Sequence, residues 1–151
     1  MADHHVTGIF TLAVGEGRTV GEAMLNDPRL PLISFTGSNE VGTLVQQAAA
    51  KNAVKCVLEL GGKSPQIVFD DVDVERAVPI IVRAIVQNAG QTCTAGSRLL
   101  VQRSIYDSFV AKVAASFAKV RVGTPEMDFD CGPVMNPAQH QRVQRYIDQA
   151  R

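Results

Sequence analysis

Leu32-Ile33-Ser34-Phe35-Thr36-Gly37-Ser38-Asn39-Glu40-Val41-Gly42 passes from an apolar strand, over a glycine turn, into a helix that starts on a serine. Residues 32–35 have strand composition, Gly37 lets the backbone turn tightly, and the Ser38 hydroxyl is placed to cap the helix. Such a turn suits a phosphate. Glycine allows close backbone approach, and the free amides of a helix N-terminus, aided by its dipole, stabilise a pyrophosphate. An ordinary strand-turn-helix with a serine cap looks the same, and glycine spacing alone does not separate the two.

Outward from this stretch, apolar runs at 9–14 and 54–60 read as further strands, with helical periodicity at 19–25 and 39–51 between them. A β-α-β-α-β order implies a parallel sheet with right-handed crossovers and puts loops at the carboxyl ends of the strands, where ligands bind. Residues 1–60 therefore read as half of a nucleotide-binding fold. Gly61-Gly62 marks the candidate domain boundary, and residues 61–151 restart the pattern. They offer a strand at 66–69, a helix after Asp73, a strand at 99–102 and a helix over 104–120. Ser104 with Asp107 three residues on resembles a capping box, and Phe109, Val113, Phe117 and Val120 line one face of that helix. Asn136-Pro137 supplies a cap and first residue for a last helix with an apolar stripe of Val143, Tyr146, Ile147 and Ala150. Pro79 predicts a helix start or a kink, because proline in a helix interior removes a backbone bond.

Fifteen basic residues balance fifteen acidic ones, which gives no support for a nucleic-acid or anionic-membrane partner. The longest apolar stretch, 77–86, is broken by Arg83 and falls well short of the roughly 20 residues that span a bilayer. Met1-Ala2-Asp3-His4-His5 has neither the basic nor the apolar region of a secretory signal, so a cytoplasmic location is the default expectation. Three widely spaced cysteines suit a reducing compartment, and none of His4, His5 and His140 has metal-ligand spacing, so no metal is expected.

Two residues stand out chemically. Glu59 ends an apolar strand in Cys56-Val57-Leu58-Glu59-Leu60-Gly61-Gly62, where burial would raise its pKa toward that of a general base. A structural pairing with a neighbouring cation or amide is the other reading. Cys93 lies in Gly90-Gln91-Thr92-Cys93-Thr94-Ala95-Gly96, among small residues that leave backbone amides accessible and the thiol open to activation. Cysteine elsewhere is more often an inert small hydrophobe. Cys56, between Val54 and Val57, fits that description, and Cys131, in Asp128-Phe129-Asp130-Cys131, has carboxylates nearby that disfavour a thiolate.

Taken together, Phe35-Thr36-Gly37-Ser38 with Val41-Gly42, Leu58-Glu59-Leu60-Gly61-Gly62-Lys63-Ser64-Pro65, and Gly90-Gln91-Thr92-Cys93 with Ser97-Arg98 resemble the NAD(P)-dependent aldehyde dehydrogenase superfamily in order and spacing. The resemblance runs from about Gly8 to Arg151 and corresponds to the middle third of a typical member. It implies an α/β fold: the second half of a Rossmann-type cofactor domain at 1–60, then the start of the α/β catalytic domain at 61–151. By that resemblance Cys93 attacks the aldehyde carbon to give a thiohemiacetal, hydride passes to the nicotinamide of NAD or NADP, and Glu59 activates the water that hydrolyses the thioester. Gly37, Ser38 and Val41 match the pyrophosphate-side residues with Thr36 beside them, Gly17 and Gly21 match the preceding glycine turn, and Leu60 lies beside the nicotinamide.

The implied partners are a small-molecule aldehyde and further copies in a homo-oligomer. The family's upstream oxyanion Asn, its ribose-contacting Lys and its downstream Glu-and-Phe segment have no counterpart here. An oxyanion donor alone is worth about 10²–10³ in rate, so the chain reads as a fragment whose isolated activity is open. A non-catalytic binding or self-association domain is the alternative, and both Glu59 and Cys93 argue against it. Acyl transfer to coenzyme A is disfavoured by Glu59, whose use is to activate water.

Overall fold

Strand alternation at residues 32–36 and 55–59 sets the first layer of the protein. The computed structural model describes residues 10–150; Ile9, which begins the first predicted strand, and the His4-His5 pair lie outside them. The chain forms two compact units, Met1–Leu60 and Gly61–Arg151.

In the first unit β1 (Leu32–Thr36) and β2 (Lys55–Glu59) pair in parallel, from Leu32 opposite Lys55 to Thr36 opposite Glu59. They are joined by α2 (Asn39–Lys51), which buries Val45 and Ala49 against Ile33. Phe35, Val54, Cys56 and Leu58 pack around this cluster, as does Leu25 from α1 (Glu22–Leu25). Full burial of a side chain such as Val45 contributes about 1.5–3 kcal/mol. Among the described residues one face of the sheet is covered; Leu32 and Val57 on the other remain 48% and 41% exposed.

The strand predicted at 9–14 does not form over residues 10–14, which join no ladder among the described residues. Phe10, Leu12 and Val14 alternate as a strand should, yet stand 95%, 86% and 83% exposed. A strand is stabilised by a neighbour, and here none takes up its hydrogen bonds. The helix predicted at 19–25 is a π-helical turn, Gly17–Gly21, running into α1.

In the second unit β3 (Pro65–Val68) and β4 (Arg98–Val101) are again parallel. α3 (Val74–Val86) and α4 (Tyr106–Phe117) cover one face, closing a core of Val68, Val78, Ile81, Val82, Phe109 and Val113. Asp73 caps α3 by accepting from Arg76 N at 3.3 Å. The helix starts there and runs through Pro79, which forgoes one backbone bond on an exposed face while Val78, Ile81 and Val82 bury the opposite one.

Ser104 does not cap α4. It lies in a 3-10 turn, Arg103–Ile105, and its hydroxyl donates to Asp70 Oδ2 at 3.1 Å, a partner 34 residues away that local spacing does not reveal. Phe117 stays 39% exposed at the end of that helix. α5 (Pro137–Gln149) is capped by Asn136, whose Oδ1 accepts from Gln139 N at 2.8 Å. Its stripe lies open, with Val143, Tyr146 and Ile147 at 40%, 70% and 44% exposure. No helix among the described residues is long and apolar enough to cross a membrane.

Candidate active site

The carboxyl ends of β1 and β2 gather six of the sequence-selected residues. Gly37 N donates to Glu59 O at 3.0 Å, which ties the turn to the end of β2 beside the Thr36–Glu59 register pair. Ser38 caps α2, its Oγ accepting from Val41 N at 3.2 Å, and its carbonyl receives the first helical bond from Gly42 N at 2.8 Å. Two glycines here are closely approached by neighbouring side chains. A Cβ on Gly37 would come within 2.5 Å of the Phe35 ring, and one on Gly42 would come within 2.6 Å of Leu60 Cδ2. Leu60 can therefore lie on the first turn of α2.

This arrangement fits a dinucleotide's phosphate side in shape: a bare backbone turn at the positive end of a 13-residue helix, following a strand of a parallel pair. Glu40 in the first helical turn adds a negative charge that a bound phosphate would have to tolerate. Gly17 and Gly21 bound the earlier π-helical turn, and a Cβ at either would meet open space, so nothing within the described residues requires glycine there.

Glu59 is exposed, contrary to the buried environment its apolar strand implies. β2 alternates, so Cys56 and Leu58 turn toward α2 while Glu59 falls on the uncovered face with Val57. The ion pairs among the described residues, Asp27–Arg29, Glu75–Lys112 and Asp130–Arg121, do not include it.

Cys93 occupies the turn between α3 and β4 in the second unit, with its side chain exposed. The backbone ahead of it is unusual. Asn88, Ala89 and Gly90 have φ of 50°, 54° and 73°, three successive left-handed residues. Such a conformation costs roughly 1–2 kcal/mol for each residue that carries a Cβ. Asn88 Nδ2 donates to Gln91 O at 3.0 Å, Gln91 Nε2 donates back to Asn88 O at 3.0 Å, and Gln91 N reaches the same carbonyl at 3.1 Å. Gln91 Oε1 also accepts from Met135 N at 2.9 Å.

Ala95 N closes the turn onto Thr92 O at 3.2 Å. On the exit side, Gly96 N donates to Ala84 O at 3.1 Å and Gly96 O accepts from Gln66 Nε2 at 2.9 Å. A Cβ on Gly96 would strike that Gln66 amide at 2.6 Å. Gly62 approaches from β3's side, where a Cβ would lie 3.2 Å from Cys93 O. The result is an exposed thiol on a backbone turn braced at both ends.

The other thiols differ. Cys56 is partly buried against α2, and Cys131 Sγ donates to Val86 O at 3.5 Å and Gly132 O at 3.3 Å. Asp130, beside Cys131, is held below the usual carboxylate range by the Arg121 backbone N–H and then by its guanidinium. Sequence reasoning did not single out Asn88, Gln91 or Gln66. Asn88 and Gly90 are residue types that tolerate a left-handed backbone, which was the one available signal.

The family profile described as "Aldehyde dehydrogenase family" matches residues 6–151. A provisionally named aldehyde dehydrogenase of Staphylococcus epidermidis is 44% identical over 142 residues, which is 93% of this chain and 30% of that protein. Among solved structures, a provisionally named aldehyde dehydrogenase from Burkholderia cenocepacia is 51% identical with a TM-score of 0.88, over 90% of this chain and 29% of that one. Betaine aldehyde dehydrogenase from Staphylococcus aureus, solved in complex with NAD+, is 39% identical with a TM-score of 0.86, over 89% and 27%. The 151 residues thus span about 30% of the length of the relatives they match.

Proposed function

The chain belongs to the aldehyde dehydrogenase family, and on that premise we propose that it carries the thiol nucleophile and the carboxylate base of an NAD(P)-dependent oxidation of an aldehyde to a carboxylic acid. The activity is proposed for a polypeptide that also holds the remaining segments of its relatives. The observation that carries the reading is Cys93, an exposed thiol on a turn braced by Gln91 on one side and Gln66 on the other.

In this reading the Cys93 thiolate attacks the carbonyl carbon, a C–S bond forms, and the carbonyl π electrons move to oxygen as a thiohemiacetal. Bound NAD+ or NADP+ supplies the hydride acceptor. Loss of hydride from the former aldehyde carbon leaves a thioester on Cys93. Glu59 takes a proton from water, which adds to the thioester and releases the carboxylic acid and the free sulfur. Residues 1–60 would then be the cofactor part, with Thr36, Gly37, Ser38 and Val41 at the pyrophosphate side and Leu60 beside the nicotinamide, and residues 61–151 the thiol part. Gly17 and Gly21 join this proposal through the family resemblance alone. The three free cysteines support a reducing, cytoplasmic setting.

The test divides the two roles in a polypeptide extended to the full family length. Glu59→Gln should give a single burst of NAD(P)H and then stall at the thioester, because acylation and hydride loss need the thiol and the bound cofactor but not Glu59. Cys93→Ala should give no burst. If Glu59→Gln removes the burst while cofactor binding is unchanged, Glu59 acts before hydride transfer and its assignment to deacylation is wrong.

A further inference from the structure

Every polar group of Gln91 is engaged, three toward Asn88 and one toward the backbone that begins α5, 44 residues further along the chain. We propose that Gln91 is a positioning residue for the Cys93 thiol, holding the left-handed turn ahead of it and fixing that turn against Met135. The proposal rests on the reading of Cys93 as the nucleophile.

Asn88 and Ala89 adopt a backbone conformation that L side chains disfavour, so the turn persists only where bonds hold it. Gln91 supplies three of those bonds from a position two residues before the thiol. Beyond the thiol, Gly96 is fixed to Ala84 and Gln66. Thr92, Cys93 and Thr94 thus form a short span between two fixed points. Removing the Gln91 amide would cut the entry side's link to Met135 and one of its three bonds to Asn88, leaving there only the two bonds made by the Gln91 main chain. The amide makes both outward bonds with opposite ends: Nε2 donates to Asn88 O and Oε1 accepts from Met135 N. Glutamate keeps the second and loses the first, so two substitutions separate the two halves of the brace.

The 151-residue chain itself serves for the test. Site-resolved alkylation with iodoacetamide is followed across pH for Cys56, Cys93 and Cys131, beside a free peptide of residues 90–98, and amide exchange is followed at Met135. In Gln91→Ala the Cys93 rate and pH profile should move measurably toward those of the free peptide, with Cys56 and Cys131 unchanged. Met135 exchange should quicken about tenfold, as loss of one hydrogen bond permits. Gln91→Glu should keep Met135 protected and still move the Cys93 profile toward the peptide.

The proposal is overturned if Cys93 keeps its native profile in Gln91→Ala, whether or not Met135 loses protection, or if all three thiols change together. Should Gln91→Ala not fold, Gln91→Glu decides alone, by the Cys93 profile against the other two thiols. Failure of the underlying reading looks different: Cys56 or Cys131, and not Cys93, would then be the first thiol modified in the unaltered chain.

Discussion

Three thiols in one chain differ in what their sulfur touches, and that difference is testable without turnover. Cys56 is partly buried against α2, which narrows a reagent's approach; Cys131 donates to carbonyls at 3.5 and 3.3 Å that an attacking reagent must compete with. Cys93 is exposed, with neither obstacle. Limiting iodoacetamide followed by peptide mapping should therefore find Cys93 modified first under native conditions. Modification of either other thiol ahead of it would withdraw the chemical support for its role. Residue type and glycine-rich context marked Cys93 as a candidate in the sequence, whereas the bonds of Asn88 and Gln91 were not legible, because side-chain pairing across a left-handed turn leaves no periodicity. Glu59 shows the opposite failure. Its apolar neighbours promised burial, but exposure of a strand residue depends on which face a second layer covers.

Elements were most legible where a cap coincides with a hydrophobic period. Ser38, Asp73 and Asn136 each precede a helix and each accepts from a backbone amide three residues on, and their helices began where those residues placed them. Ser104 looked equivalent and was not, since a long-range bond to Asp70 drew its hydroxyl away. Strands 32–36 and 55–59 formed because they had each other, whereas 10–14 had the alternation without the partner.

α2 ends at Lys51, where the periodicity over 39–51 placed it, but the way it closes was not legible. Val54 N bonds Ala49 O at 3.0 Å and Ala53 N bonds Ala50 O at 3.1 Å, the two bonds of a Schellman closure, and the left-handed position at φ 53° is held by Ala53 where glycine is usual. Ala53→Gly should relieve about 1–2 kcal/mol of left-handed strain against about 0.5–1 kcal/mol of added unfolded-chain entropy, a net gain of up to about 1.5 kcal/mol. Urea unfolding would read it as a higher midpoint with an unchanged slope, and a lower midpoint would refute the account of this helix end.

At the scale of the whole molecule, the described residues of each unit bury one face of a two-stranded sheet and leave the other exposed. Isolated two-stranded sheets are marginal in water, and a strand edge with unpaired N–H and C=O groups is a template for another chain. The uncovered apolar surface is large: Ile67 and Phe69 at 62%, Leu100 at 52%, Tyr146 at 70%, and the alternating Phe10, Leu12 and Val14 above 80% exposed. Relatives of this family are about three times longer, which supplies material to cover such faces, but 151 residues alone must leave them to water or to one another. The isolated chain should therefore scatter light as assemblies heavier than one 151-residue polypeptide, bind a hydrophobic dye, and scatter more strongly as a kosmotropic salt such as sulfate is raised. Replacing Ile67 and Leu100 by lysine separates sheet-face association from general instability. Both side chains point away from the core of the second unit, so the double variant should keep its helical content while its scattering and dye binding fall. A dispersed monomer that binds no dye in the unaltered chain would mean that these faces are satisfied by some other arrangement, and the inference from exposed area to association would fail.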